Sequence, residues 1–224
     1  MISIIIPTLN EAATIQALLG SLQTERQQGH EVIVVDGGSH DPTLALAEGL
    51  ADVILVSAQS RALQMNRGAQ QAQGDILWFL HADSAIPAQA THSIVQALSH
   101  HPQRWGRFQV QLSGTDWRFK MIAWFMNQRS RLTGICTGDQ GIFVTRTLFE
   151  TCQGFPNIAL MEDIALSQCL LKHAGKPQTL PLRLLTSSRR WQQHGIWSTI
   201  FLMWRLRWAY FRGQDPAQLK RWYP

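Results

Sequence analysis

The sequence predicts an α/β protein with a Rossmann-like, mainly parallel central sheet, helices on both faces and a helical, aromatic-rich C-terminal segment. Three observations carry this expectation. Apolar runs of strand length alternate with segments of helical period through roughly the first hundred residues, the pattern of βαβ units. One of these runs, Ile76-Leu77-Trp78-Phe79-Leu80, is apolar throughout, as a strand buried on both faces of a parallel sheet must be. Beyond residue 195, tryptophan, phenylalanine and arginine recur at helical spacing.

The elements follow in order. Ile2-Ser3-Ile4-Ile5-Ile6 is the first strand and runs into Pro7-Thr8-Leu9-Asn10-Glu11. A helix over 11–22 follows, because Ala12, Ile15, Leu18, Leu19 and Leu22 share one face. Residues 32–35 form a second strand that ends in Asp36-Gly37-Gly38-Ser39-His40-Asp41. Asp41 caps the next helix and Pro42 suits its first turn, with Leu44, Ala47 and Leu50 as the inward stripe. Residues 52–56 make a third strand and 61–72 a helix, which Gly74-Asp75 connects to the apolar fourth strand and its end at His81-Ala82-Asp83. Pro87 opens a helix reaching His100, and the alternation in Phe108-Gln109-Val110-Gln111-Leu112 marks a half-exposed fifth strand. Periodicity weakens after that point, with a helix read over 163–173.

A chain of 224 residues can bury one sizeable core, and no linker rich in Pro, Gly or Ser divides it. Residues 1–195 are therefore read as one domain, with 196–224 packed on it as an amphipathic helix and tail. A hydrophobic fraction of 45% excludes disorder. A net charge of +5 favours polyanionic partners such as the phosphates of a small molecule or anionic lipid headgroups. Nucleic acid is disfavoured, because the basic residues cluster with aromatics and no nucleic-acid motif is present. Cys136, Cys152 and Cys169 contain no Cys-x-x-Cys pair and are odd in number, which indicates neither a zinc site nor a disulfide framework, and fits a reducing compartment. Met1 leads straight into a strand without a secretory signal, so the expected location is the cytoplasm, with the inner face of the cell membrane as a place of contact.

In a parallel sheet, ligands sit beyond the carboxyl ends of the strands. Here three such ends supply Thr8-x-Asn10-Glu11, Asp36-Gly37-Gly38-Ser39 and His81-Ala82-Asp83. Carboxylates there suit a base edge, ribose hydroxyls, or a divalent cation that neutralises a diphosphate. No Gly-x-Gly-x-x-Gly follows the first strand, which argues against a dinucleotide-dependent oxidoreductase.

These residues resemble the family-2 glycosyltransferases of the GT-A fold, whose sequences open with a Pro-Thr-x-Asn-Glu motif and a Val-Val-Asp-x-x-Ser-x-Asp strand end. Arg61 through Asn66 with Gly68-Ala69, the loop Gly138-Asp139-Gln140-Gly141 and Met161-Glu162-Asp163 extend the likeness over about residues 1–195. The resemblance implies a nucleotide-sugar donor bound by Pro7, Thr8, Asn10, Glu11, Asp36, Gly37, Ser39, Arg61, Asn66, His81, Ala82 and Asp83. It places Gly138, Asp139, Gln140, Arg190 and Trp191 on the acceptor or diphosphate side. Asp163, with Glu162, becomes the catalytic pair, Asp163 acting as general base for an acceptor hydroxyl in an inverting transfer. Narrower still, the chain looks most like small bacterial transferases, some assigned to arsenosugar pathways.

One motif departs from the family. Members show Asp-x-Asp after the fourth strand, whereas this chain has His81-Ala82-Asp83. One carboxylate with diphosphate oxygens and water still suits Mg²⁺ or Mn²⁺, and His194 is a further candidate ligand. The same departure motivates an alternative, a catalytically silent protein that keeps the fold to hold a nucleotide or a membrane partner.

In the C-terminal segment Trp197, Phe201, Trp204, Trp208 and Phe211 share one helix face, while Leu202, Met203, Leu206 and Tyr210 occupy the other, with Arg205, Arg207 and Arg212 between them. A helix apolar all round is covered on both sides, here by the domain and by a membrane interface, another subunit or a lipid-linked acceptor. Three arginines argue against a span. Residues 117–132 have the same character.

Overall fold

The computed structural model describes residues 1–99 and 104–223. Four strands, β1 (Ile2–Thr8), β2 (Glu31–Asp36), β3 (Val53–Val56) and β4 (Ile76–Phe79), pair in parallel in the order β3-β2-β1-β4. Three more, β5 (Trp105–Leu112), β6 (Phe143–Thr145) and β7 (Gln178–Thr186), extend the sheet to β3-β2-β1-β4-β6-β5-β7. Strand β6 runs antiparallel to β4 and β5, and β5 pairs in parallel with β7. All strands but β6 therefore end on the same edge, and that edge collects the polar strand ends.

The helices are α1 (Ile15–Ser21), α2 (Gln23–Gln27), α3 (Thr43–Ala47), α4 (Arg61–Gln71), α5 (Ala90–Leu98), α6 (Trp117–Thr133), α7 (Arg146–Thr151), α8 (Glu162–Ala174), α9 (Arg189–His194), α10 (Ile196–Phe211) and α11 (Pro216–Lys220). Because strand side chains alternate, Ile4, Ile6, Val32 and Val34 face a core shared with α1 and α5. Ile5, Ile33 and Val35 face the opposite core, shared with α4 and α8. Helices thus cover both faces, as the unbroken apolar strands require.

Several boundaries differ from the sequence reading. Residues 11–14 form a turn, and α1 begins only at Ile15. Pro42 is the N-cap of a five-residue α3, with Asp41 accepting from the Thr43 N–H at 3.1 Å. So short a helix turns Leu46 and Leu50, not Leu44, towards the core beside Ala47. The expected end of the following long helix at His100 lies outside the described residues. Strand β5 starts three residues earlier than its alternation suggests and is mostly buried, because β6 and β7 flank it on both sides.

Helix α10 behaves as its two faces require. Leu206 and Ala209 pack on Met161 and Ile164 at the start of α8. On the other side Trp197, Phe201, Trp204, Trp208 and Phe211 are each between 58% and 68% exposed. Neighbouring α6 joins the α10 N-terminal end through Phe119, Ile122 and Ile196, and itself exposes Trp117, Trp124, Phe125 and Leu132. No helix among the described residues is long and apolar enough to cross a membrane.

Candidate active site

At the edge where β1 and β2 end, Asp36 is fully buried and accepts from the Thr8 hydroxyl at 3.2 Å and from the Gly38 and Ser39 N–H groups at 2.8 and 2.7 Å. Asn10 adopts φ 53°, a left-handed conformation that Asn tolerates, and from there donates its N–H to Ser39 Oγ and accepts the His40 N–H. Gln64 of α4 donates to both the Thr8 and Val35 carbonyls at 2.8 Å. Gly37 packs on that amide, so a Cβ there would press into Gln64. Pro7, Thr8, Gly37 and Ser39 thus form a hydrogen-bonded floor of backbone and short side chains around Asp36. Glu11 stands at its rim and accepts from Arg189 of α9 at 3.1 Å.

The second cluster lies beyond β4. His81 Nδ1 is 3.2 Å from Asp139 Oδ1. Burial alone would raise the Asp139 carboxyl, but the His81 imidazole, Arg61 and Arg190 hold it at about 2. Asp83 has the opposite balance: burial pushes its carboxyl up, and Asp139 and Glu11 add to this against His81 and Arg189. Ala82 is buried between them. Burial, with Arg61 nearby, lowers Arg190, while Asp139 and Asp83 oppose the shift.

Glu162 and Asp163 open α8, directly after Met161, which is held at φ 70°. Such left-handed backbone at a bulky residue costs about 1–3 kcal/mol and persists where the surroundings enforce it. Here Leu206 and Ile164 hold Met161 in the core. Asp163 Oδ2 accepts the Gly138 N–H at 2.9 Å, which ties the catalytic candidate to the 3-10 turn Gly138–Gln140. Glu162 is 5% exposed, with Arg61 Nη1 at 3.8 Å from its Oε1. Its carboxyl is pushed up by burial and then by the Asp163 charge. Arg61, His81, Gly138, Glu162 and Asp163 line one small cleft over Phe79 and Phe155.

The close approach of Gly138 to His81 makes a prediction. A Cβ at residue 138 would stand 2.2 Å from His81 Nε2. Gly138→Ala should therefore cost about 1–3 kcal/mol of stability, read as a lowered urea midpoint. An unchanged midpoint would show that the ring moves freely.

Not every expected site residue faces this cleft. Asn66 spends its amide on Phe155, donating to the carbonyl at 2.7 Å and accepting the N–H at 2.9 Å. Gln140 is buried, and its Oε1 accepts the Thr137 N–H in a capping box. Trp191 packs with Phe119 and Ile122 of α6. His194 is exposed at the end of α9 and joins no group of three metal-ligating side chains among the described residues.

Two arginines that sequence reasoning did not assign to the site stand beside Asp163. The Nε, Nη1 and Nη2 atoms of Arg129 on α6 are buried without a hydrogen-bond partner among the described residues. Burial and the neighbouring Arg207 lower Arg129 to about 10, against the attraction of Asp163. Arg207 on α10 is lowered by burial and opposed by Asp163 and Asp139. The only sequence signal was a basic residue inside each aromatic helix.

A divalent cation here would draw on Asp83 and Asp139, the second of which is held by His81 Nδ1 at 3.2 Å. Two carboxylates, one destabilised by burial beside the other, fit a hard cation with oxygen ligands. His81 Nε2 faces Gly138, buried without a hydrogen-bond partner among the described residues, and Nδ1 is the ring atom that meets Asp139.

Comparison with known proteins bears on the family and the fold. The family profile described as Glycosyl transferase family 2 matches residues 3–150. A PGL/p-HBAD biosynthesis glycosyltransferase of Mycobacterium bovis is 34% identical over 160 residues, covering 67% of this chain and 61% of that protein. An undecaprenyl-phosphate 4-deoxy-4-formamido-L-arabinose transferase of Aeromonas hydrophila is 28% identical over 160 residues, covering 63% of this chain and 47% of that protein. The chain therefore spans about half to three-fifths of the length of these relatives. Among solved structures, S. aureus TarS with UDP-GlcNAc superposes with TM-score 0.66 at 19% identity, covering 84% of this chain and 58% of that one. Mannosyltransferase PcManGT from Pyrobaculum calidifontis with GDP-Man and Mn²⁺ gives 0.66 at 22% identity, covering 98% and 67%. The expected GT-A architecture is the one these structures share.

Proposed function

The chain belongs to glycosyl transferase family 2, and on that premise we propose that it moves a sugar from a nucleotide-sugar donor to an acceptor hydroxyl, with inversion and with Asp163 as general base. The observation that carries this reading is the convergence of Asp83, Asp139, Glu162 and Asp163 with Arg61 and Arg190 at one edge of the sheet. The floor around Asp36, with Asn10, Gly37 and Ser39, receives the nucleoside. Arg61 and Arg190 meet the diphosphate, since guanidinium forks suit phosphate oxygens. Asp83 and Asp139 would hold Mn²⁺ or Mg²⁺, which when bound neutralises the leaving diphosphate. That PcManGT was solved with GDP-Man and Mn²⁺ supports the choice of ion.

At the other end of the cleft Asp163 takes the acceptor proton. The Gly138 N–H fixes its carboxylate, and beside it burial and the Asp163 charge push the Glu162 carboxyl up. Arg129 and Arg207 add positive charge at the acceptor side, fitting an acceptor or leaving group that carries phosphate. Thermal-shift screening against UDP-, GDP- and TDP-sugars, with and without Mn²⁺, tests the donor side; no shift with any donor would remove the reading.

The outward face of α10 supports contact with an anionic membrane surface and a lipid-linked acceptor. Its five exposed aromatics are flanked by Arg205 and Arg212, the composition of an interfacial helix. The relative that acts with undecaprenyl-phosphate points the same way. The protein should float with anionic liposomes at low salt, and the Trp204→Ser/Trp208→Ser double variant should lose most of that binding. Wild-type protein that stays in the pellet fraction with every liposome would refute membrane contact. A small soluble acceptor is the competing outcome, and transfer without lipid would decide for it. His81 in place of the first metal carboxylate favours the remaining reading, a silent nucleotide-binding protein, which measurable turnover would eliminate.

A further inference from the structure

Away from the cleft, the structure brings together three side chains that lie apart in the chain. Cys152 ends α7, while Cys169 and His173 sit four residues apart on α8, on one face of the helix. His173 Nδ1 is 3.5 Å from Cys169 Sγ and 3.9 Å from Cys152 Sγ, and all three ligand atoms lie within 4.8 Å of one another. No other group of three metal-ligating side chains this close occurs among the described residues. Two of the three free cysteines of the chain are thus committed to one spot.

We infer that Cys152, Cys169 and His173 form a binding site for a thiophilic divalent cation of the Zn²⁺ class, with a fourth coordination position open to solvent. Three arguments converge. With Zn–S near 2.3 Å and Zn–N near 2.0–2.1 Å, a tetrahedral ion holds sulfur and nitrogen about 3.6 Å apart, which the two S···N distances bracket. Without an ion one ring nitrogen is shared among several neighbouring acceptors. His173 Nδ1 also lies 2.9 Å from the Cys169 carbonyl, so a single ring nitrogen faces that oxygen and both thiols and can serve one of the three at a time. Two thiolates and an imidazole are also the ligand types that select zinc over magnesium or calcium.

Access fits as well: His173 is exposed and Cys169 half-buried, while Leu171 and Ala174 pack inward. Binding replaces the two thiol protons, which leave to solvent, and bonds the ion to both sulfurs and the ring nitrogen. The ion would tie α7 to α8 and so brace the segment that delivers Glu162 and Asp163. It is separate from the cation expected at Asp83 and Asp139, which has oxygen ligands.

Cobalt absorption tests the site without reading turnover, so its result stands apart from the proposed transfer reaction. The full chain, reduced and stripped of metal, should take up one equivalent of Co²⁺ with a thiolate-to-cobalt charge-transfer band and the visible bands of four-coordinate geometry. Zn²⁺ should abolish both. Cys152→Ser and Cys169→Ser should each remove the charge-transfer band of the native site, whereas Cys136→Ser, buried and outside the cluster, should keep it. His173→Gln, a change at an exposed position, should fold normally by circular dichroism and weaken Co²⁺ binding at least tenfold, which keeps the test decisive if a cysteine variant fails to fold. No thiolate band in the reduced wild type, a band unchanged in Cys152→Ser, or undiminished affinity in His173→Gln would overturn the assignment.

Discussion

Asp163→Asn is expected to lower kcat by about 10²- to 10⁴-fold, the usual share of a general base, while leaving donor affinity nearly unchanged and costing about 1 kcal/mol of stability for the one N–H contact it cannot keep. The geometry makes this separation possible. Asp163 accepts the Gly138 N–H at 2.9 Å and the Ile164 N–H at 2.7 Å. An asparagine amide oxygen can keep the Gly138 contact, so the turn that positions Asp139 stays in place while the proton acceptor is lost. Glu162→Gln provides the contrast. Its carboxyl is buried and held towards the neutral form, which glutamine imitates, so its effect on kcat should be the smaller of the two. Both variants would be assayed by initial rates with the donor found by thermal shift. Wild-type turnover in Asp163→Asn would remove Asp163 from the chemistry altogether.

Arg129→Met should move stability and activity in opposite directions. A guanidinium buried with all three nitrogens unpaired among the described residues imposes a desolvation cost, and a methionine of similar volume relieves it. The expected gain is about 1–3 kcal/mol, which in a chain of this size corresponds to about 2–4 °C in Tm for each kcal/mol. Turnover should meanwhile fall by about 10²- to 10³-fold, the scale for removing one donor to developing negative charge. A stability gained by deleting a functional charge is the usual sign of a site that sacrifices folding energy for binding. If Tm drops and turnover persists, Arg129 is a structural residue whose partners form only in solution.

The fold was legible where the physics is local. Four parallel strands, the face of α1, the extent of α4 and the two faces of α10 follow from apolar runs and periodicity, and each appears near the expected position. The second half resisted for specific reasons. Strand β6 is three residues long, too short for any alternation to register. Strand β7 contains Pro181, which demotes a strand pattern in sequence yet is tolerated on the sheet edge that β7 occupies. The candidates Asp139, Glu162 and Asp163 lie in motifs ordered along the chain, and the structure places them around one cleft. Arg129 and Arg207 could not, since helical spacing says which face a residue shares but not that α6 and α10 bring two such faces against α8. Asn66 and Gln140 were read as ligand-facing, whereas their amides complete backbone hydrogen bonds, a use that the residue type alone does not distinguish. The cysteines were dismissed on spacing, because sequence arithmetic sees neither the end of α7 nor the face of α8 that it meets.

The strand order also sets a timetable for synthesis. β1 to β4 are complete once Phe79 has left the ribosome, so the half of the sheet that bears Asp36 is able to assemble early. β5 has no such freedom: Gly106 pairs with Gln178 and Leu112 with Thr186, so its outer neighbour is translated some seventy residues later. Long-range parallel pairing of this kind is slow and leaves apolar surface uncovered while it waits. A nascent chain therefore completes the half of the sheet that bears Asp36 first and the half closed by β7 last, and translational pauses between residues 112 and 178 are where chaperones have the most to shield.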